Sequence, residues 1–157
     1  MTSVQPQVTR PAGPIYLTVS DMERLMALVN GYRLQGREDG NLDLLEEELD
    51  RALVMDAGRR LPSNVVTLDS RVLVVDLDSG EERLFTLVLP SKANVDEGRI
   101  SVLAPLGMAV LGYRAGEEIE WDVPGGRRRL KVRRVIHQPE ASARRQAAQT
   151  RVAEGAP

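Results

Sequence analysis

The chain has 157 residues, 42% hydrophobic and 28% charged, with no Cys and single His, Trp and Phe residues. The absence of Cys excludes a disulfide framework, a thiolate nucleophile and Cys-ligated metal centres, and a lone His137 excludes sites built on several imidazoles. So few aromatic residues leave little for a base-stacking platform, and no apolar run approaches the roughly 20 residues of a membrane-spanning helix.

From Met1 to Pro14 the chain carries three Pro and one Gly without periodicity. This stretch reads as a disordered leader, residues 1–14, with no apolar segment of the signal-peptide kind, so a cytoplasmic setting is expected. A helix start follows at Ser20-Asp21-Met22-Glu23, a capping box in which Ser20 and Glu23 would satisfy each other's amides. Leu25, Leu28, Val29 and Tyr32 then recur at helical spacing. Gly36 to Asn41 breaks the pattern. A second stripe runs through Leu42, Leu45, Leu49, Ala52 and Leu53, ended by Gly58 and Pro62. Residues 15–60 are therefore expected to form an antiparallel helical hairpin. Its arms are near the length at which an isolated helix is marginal, so it must lean on another part of the chain.

After Val65 the period changes to two. Arg71–Leu77 and Arg83–Leu89 read as a β-hairpin around Asp78-Ser79-Gly80-Glu81, apolar on both faces and hence expected to be covered on both sides. Ile100–Leu103 reads as another strand. Pro105 to Gly112 has Pro near the start and Gly just past the end of a short helix. In the last hairpin Ile119, Trp121 and Val123 alternate with Glu118, Glu120 and Asp122, and Leu130 and Val132 mark the return strand. With Gly125-Gly126 as the turn, Asp122 faces Arg129, Glu120 faces Lys131 and Glu118 faces Arg133, while Trp121 faces Leu130. The β-domain is expected over residues 61–139, with a flexible tail over 140–157 in which only a nascent helix, Ala141 to Val152, is expected.

Charge is unevenly spread. Residues 1–60 carry ten acids and seven bases, residues 61–124 eleven and five, and residues 125–157 two and nine. The basic cluster from Arg127 to Arg134 supports two readings: a nucleic-acid patch centred on Arg127, Arg128 and Arg134, or a cross-strand ladder neutralised within the fold.

No catalytic constellation emerges. There is no phosphate-binding Gly-x-x-x-x-Gly-Lys and no Gly-x-Ser-x-Gly elbow. The acids Glu38, Asp39, Asp43, Glu46, Glu47 and Glu48 lack calcium-loop spacing and read as a solvated face. No catalytic residue, metal ligand or cofactor is assigned.

A series of short strings, in order and at matching spacing, resembles one family. These are Asn64-Val65-Val66-Thr67-Leu68-Asp69-Ser70-Arg71-Val72, Leu87-Val88-Leu89-Pro90-Ser91-Lys92, Leu103-Ala104-Pro105-Leu106-Gly107-Met108-Ala109-Val110-Leu111-Gly112, Val123-Pro124-Gly125-Gly126 and His137-Gln138-Pro139-Glu140-Ala141. Over roughly residues 15–141 the chain is similar to the Gre-factor superfamily, and to its Rnk branch through Glu48-Leu49-Asp50-Arg51-Ala52 and through Ala104-Pro105, where cleavage-stimulating members usually carry Ser-Pro. The resemblance implies an α+β protein: a short N-terminal antiparallel helical hairpin (coiled coil) and a C-terminal FKBP-like antiparallel β-domain with one short helix. It further implies a non-catalytic transcription regulator that binds bacterial RNA polymerase at the secondary-channel rim and competes with Gre-type elongation factors; a monomer is expected, with the oligomeric state left open. Nucleic acid is then met only through the polymerase, and no membrane is involved. Arg37, Glu38, Asp39, Asn41 and Asp43 would enter the channel mouth, and Pro105, Leu106 and Gly107 would contact the polymerase from the β-domain. The alternatives are a nucleic-acid-binding module and a factor that stimulates transcript cleavage through Glu38 and Asp39. A prolyl-isomerase pocket, which FKBP-like folds can carry, is not expected from Phe85, Tyr113 and Trp121 alone.

Overall fold

Two unequal sheets and four helices organise the computed structural model of the protein, which describes residues 8–9, 14–37, 40–55, 61–123 and 126–154. Strand β2 (Tyr16–Thr18) runs directly into helix α1 (Val19–Leu34). Thr18 is still extended, and its hydroxyl accepts the Asp21 amide proton at 3.0 Å. The cap is thus Thr18 and not the expected Ser20, because the strand delivers its last hydroxyl to the helix start. Leu25 and Val29 of α1 are buried against Leu42, Leu45 and Leu49 of helix α2 (Gly40–Asp50).

The second helix is shorter than its stripe suggested. Leu53–Met55 leaves the helix to form strand β3, parallel to β2, with the Leu53 amide donating to the Ile15 carbonyl at 2.8 Å. An unpaired edge on β2 and the β-forming Val54 outweigh one more helical turn. The base of the helical arm is therefore stitched by a small sheet.

The larger sheet has the order β1-β7-β8-β4-β5-β6, formed by Val8–Thr9, Glu118–Val123, Gly126–His137, Arg71–Asp76, Glu82–Val88 and Arg99–Ser101. Its neighbours are antiparallel except β5 and β6, so the sheet is mixed and not wholly antiparallel as expected. Two short 3₁₀ turns and Gly98, at φ 72°, carry the chain across from β5 so that β6 runs in the same direction. The Ser101 side chain and carbonyl then accept from the amides of Leu103 and Ala104, which ends β6 before the expected Leu103. The leader is not structureless throughout either, since Val8–Thr9 pairs with the free edge of β7.

In the β7–β8 hairpin Glu118 faces Lys131, Ile119 faces Leu130, Glu120 faces Arg129, Trp121 faces Arg128 and Asp122 faces Arg127. This is a two-residue displacement from the expected register. A slip by two keeps every side chain on its face, so acids still oppose bases and the alternation alone does not select between the two pairings.

Among the described residues the sheet is covered on one face only. Val72, Val74, Phe85, Leu87, Leu130 and Val132 are buried there beneath helix α3 (Pro105–Val110), whereas on the other face Leu84 is 45% exposed. The expected two-sided cover is absent because no further helix packs on that side among the described residues. Pro105 opens α3, and Gly112, at φ 80°, follows its end with no room for a side chain: a Cβ would lie 2.5 Å from Ile15 Cβ. Arm and body share one hydrophobic cluster, from Leu25, Leu42 and Leu45 through Ile15, Leu17 and Leu68 to Leu106 and Leu111. The expected flexible tail is a 16-residue helix, α4 (Pro139–Glu154). Gln138 Nε2 donates to the carbonyls of Pro62 and Val65 at 2.8 Å each, and Arg144 donates to the Leu61 carbonyl at 3.0 Å. Polar anchors of this kind leave no hydrophobic periodicity in the sequence.

Candidate functional site

The tip of the arm is built by a helix end. Gln35 closes α1, Gly36 turns left-handed at φ 68°, and the Arg37 amide donates back to the Tyr32 carbonyl at 3.0 Å. The Arg37 guanidinium then lies over the Tyr32 ring, 4.7 Å from its centroid. Of the expected tip residues, Glu38 and Asp39 lie outside the described residues. Asn41 lies in the first turn of α2, and Asp43 accepts a charged hydrogen bond from Arg33 at 3.1 Å. Arg33 also pairs with Glu46, so one cation clamps the two helices just below the tip. Leu34, which sequence reasoning passed over, is 89% exposed beside this turn. Its only sequence signal is a large apolar residue placed immediately before a helix stop.

On the body, Pro105 is exposed, but Leu106 is only 5% exposed and Gly107 is closed in: a Cβ there would lie 2.2 Å from the Ser101 carbonyl oxygen. Of the three expected contact residues, only Pro105 offers a surface; the other two hold α3 against the sheet.

The basic cluster is largely neutralised, with partners other than those expected. Arg127 pairs with Glu120 at 3.4 Å, Arg128 with Asp76 at 2.7 Å, Arg129 with Asp78 at 3.4 Å, and Arg133 with Glu82. Most of these acids belong to the β4–β5 hairpin, because β8 lies between β7 and β4 and its side chains reach both neighbours. The hydrogen bond from Arg128 holds the Asp76 carboxyl below the usual carboxylate range. Arg134 opposes Leu73 and has no ion pair among the described residues.

A polar joint connects arm and body. Asp21 of α1 is 2% exposed and accepts the Leu68 amide at 3.0 Å. Arg24 bridges Asp21 at 3.3 Å and Asp69 at 3.0 Å, and Asp69 is held at φ 66°, a conformation that a non-glycine residue rarely adopts. Thr67 donates to Glu140 of α4 at 2.8 Å. The loop from Thr67 to Ser70 is therefore gripped by α1 on one side and α4 on the other. Burial pushes the Asp21 carboxyl up to about 6, against the pull of the Leu68 amide and Arg24. Beside the joint, a groove of about 500 Å³ runs between Arg24, Leu28 and Tyr32 of α1 and Leu89 to Ser91. Among the described residues no three His, Asp or Glu side chains converge to hold a metal ion.

The chain resembles known proteins over both regions. The family description "Transcription elongation factor, GreA/GreB, C-term" fits residues 61–137, and "Rnk N-terminus" fits residues 14–54. The Regulator of nucleoside diphosphate kinase of Escherichia coli (strain K12) is 45% identical over 101 residues, 64% of this chain and 74% of that protein. Transcription elongation factor GreA of Beijerinckia indica subsp. indica is 33% identical over 104 residues, 66% of each chain. The solved structure of a prokaryotic transcription elongation factor GreA/GreB from Nitrosomonas europaea matches with a TM-score of 0.64 at 37% identity, over 80% of this chain and 99% of that one.

Proposed function

The chain belongs to the Gre-factor superfamily, in its Rnk branch, and on that basis we propose that it regulates transcription by docking on RNA polymerase at the rim of the secondary channel. In this reading it competes there with Gre-type factors and performs no chemistry of its own. The observation that carries the reading is the length of the arm. Its helices have 16 and 11 residues, on the order of 24 and 16 Å at 1.5 Å per residue, and the second is cut short by β3. An arm of this reach obstructs an entrance and falls short of the reacting phosphates.

The tip supports the same role. Arg37 is stacked on Tyr32 and Asp43 is engaged by Arg33, so both brace the turn, and Leu34 presents an apolar end to a protein wall. On the body, Pro105 is the contact residue in this reading. We read the arm as a short coiled coil and the body, with α3 laid across one face of the sheet, as FKBP-like; Phe85 and Tyr113 are buried in its core. The test is co-purification of the full-length protein with core RNA polymerase while a Gre factor is titrated in. Displacement of either protein by the other is expected, and independent binding of both contradicts the shared site. Transcript cleavage in backtracked complexes, lost on replacing Glu38 and Asp39, would instead establish the cleavage-factor reading.

A further inference from the structure

The face of the large sheet turned away from α3 is open, and strand pairing lays it out in three rows. Residues directly opposite one another share a face, with strands about 4.8 Å apart and successive same-face residues about 6.6 Å apart along each strand. The first row is His137, Arg71, Thr86 and Arg99; the second is Arg134, Leu73 and Leu84; the third is Glu118, Lys131, Val75 and Glu82. Leu84 is 45% exposed and Leu73 and Val75 are half-buried.

The cations on this side differ in state. Those near the β7–β8 turn are matched within the fold, Arg127 by Glu120, Arg129 by Asp78 and Arg133 by Glu82, and Arg99 is matched by Glu97. Arg71, Lys131 and Arg134 have no ion pair among the described residues. They stand around the two leucines; Glu118 lies opposite Lys131, so the excess positive charge beside this apolar centre comes from Arg71 and Arg134.

We propose that this face is a docking surface for an acidic polypeptide segment that brings a large apolar side chain onto Leu73 and Leu84. It rests on the reading of the chain as a polymerase-binding factor and makes this face a second point of contact on that enzyme. Charge complementarity selects an acidic partner, and the exposed leucines select a protein over a nucleic acid. A phosphate backbone would leave them without apolar cover. Pro105 opens α3 on the covered side of the sheet, past the β6 edge. The first row ends on β6 at Arg99, and the start of α3 packs on the end of β6, where Gly107 closes on the Ser101 carbonyl. One protein surface reaching over this edge meets both.

The experiment measures binding of the full-length protein to core RNA polymerase at physiological salt. The double variant Arg71→Gln/Arg134→Gln is expected to bind about tenfold more weakly, with a shallower salt dependence. Leu84→Thr, which keeps β-propensity, is expected to weaken binding several-fold. Arg127→Gln/Arg129→Gln changes net charge equally and is expected to bind within about twofold of the parent, since those cations are already matched. Unaltered binding by Arg71→Gln/Arg134→Gln overturns this inference and leaves the polymerase reading standing. A parent protein that does not bind polymerase overturns both. Salt-sensitive binding to a DNA duplex without polymerase that the double variant abolishes, or a dimer that it dissolves, overturns the inference by assigning the face to nucleic acid or to a second copy.

Discussion

Gly107 lies within the short helix of the body and Gly112 just past its end, and each is fixed by a close approach. A methyl group at Gly107 would fall 2.2 Å from a backbone oxygen, and one at Gly112 would fall 2.5 Å from Ile15 Cβ at a φ of 80°. Gly107→Ala and Gly112→Ala are each expected to cost about 1–3 kcal/mol, read as a lower midpoint in urea unfolding. The sequence placed Gly112 just past the end of a helix, but not the close contacts that require either glycine, since Ser101 and Ile15 are brought there only by the complete fold. Asp21 was hidden for a related reason. In the sequence it is an ordinary first-turn acid; its burial depends on the loop at Leu68, 47 residues away. Its folded pKa of about 6 lies above the ordinary 3.8, so between those values the folded state holds the extra proton. Stability from this group is therefore present at low pH and lost as pH rises through 6, by about 3 kcal/mol across the window. Asp21→Asn keeps an oxygen to accept the Leu68 amide and removes the titration. The stability of Asp21→Asn relative to the parent should rise between pH 4 and pH 7.5; a difference independent of pH would contradict the assignment.

At the scale of elements, the arm is a pair of helices held by a leucine seam, an Arg33 clamp and a two-stranded base. Periodicity revealed the seam directly, because Leu25, Val29, Leu42, Leu45 and Leu49 follow a helical repeat that burial then satisfies. The end of α2 escaped it, since Ala52 and Leu53 continue the helical repeat while tertiary pairing with β2 draws Leu53 into a strand. The β7–β8 register escaped it too: alternating charge on both strands is satisfied equally by pairings two residues apart. The helix α4 left no hydrophobic signal because carbonyls of Leu61, Pro62 and Val65 anchor it. For the tip, Leu34→Ala and Arg37→Ala are expected to weaken polymerase binding several-fold without changing the unfolding midpoint, since Leu34 is solvent-exposed and Arg37 adds only a surface stack. Loss of folding in either variant would show that the tip serves the arm and not a partner.

At the scale of the whole molecule, arm and body are joined by a single hydrophobic cluster and a polar joint. Removing residues 1–60 would strip Ile15, Leu17 and Leu25 from that cluster, so the β-domain is not expected to stay folded alone, and point variants are the sounder probes of docking. For the same reason Leu45→Ala, deep in the arm, should cost about 2–5 kcal/mol and lower the unfolding midpoint seen by the fluorescence of Trp121 in the sheet. A sheet signal that ignores Leu45→Ala would mean that the two parts unfold independently. The charge asymmetry visible in the sequence is resolved in part inside the fold, where Arg128, Arg129 and Arg133 meet acids of the preceding hairpin, while Arg71 and Arg134 on the open sheet face have no ion pair among the described residues.

Because the short arm is the ground for expecting obstruction without chemistry, the most direct measurement follows backtracked transcription complexes as this protein and a Gre factor are mixed. The account predicts that added protein slows Gre-stimulated transcript cleavage and causes none by itself. Cleavage stimulated by this protein alone would contradict it.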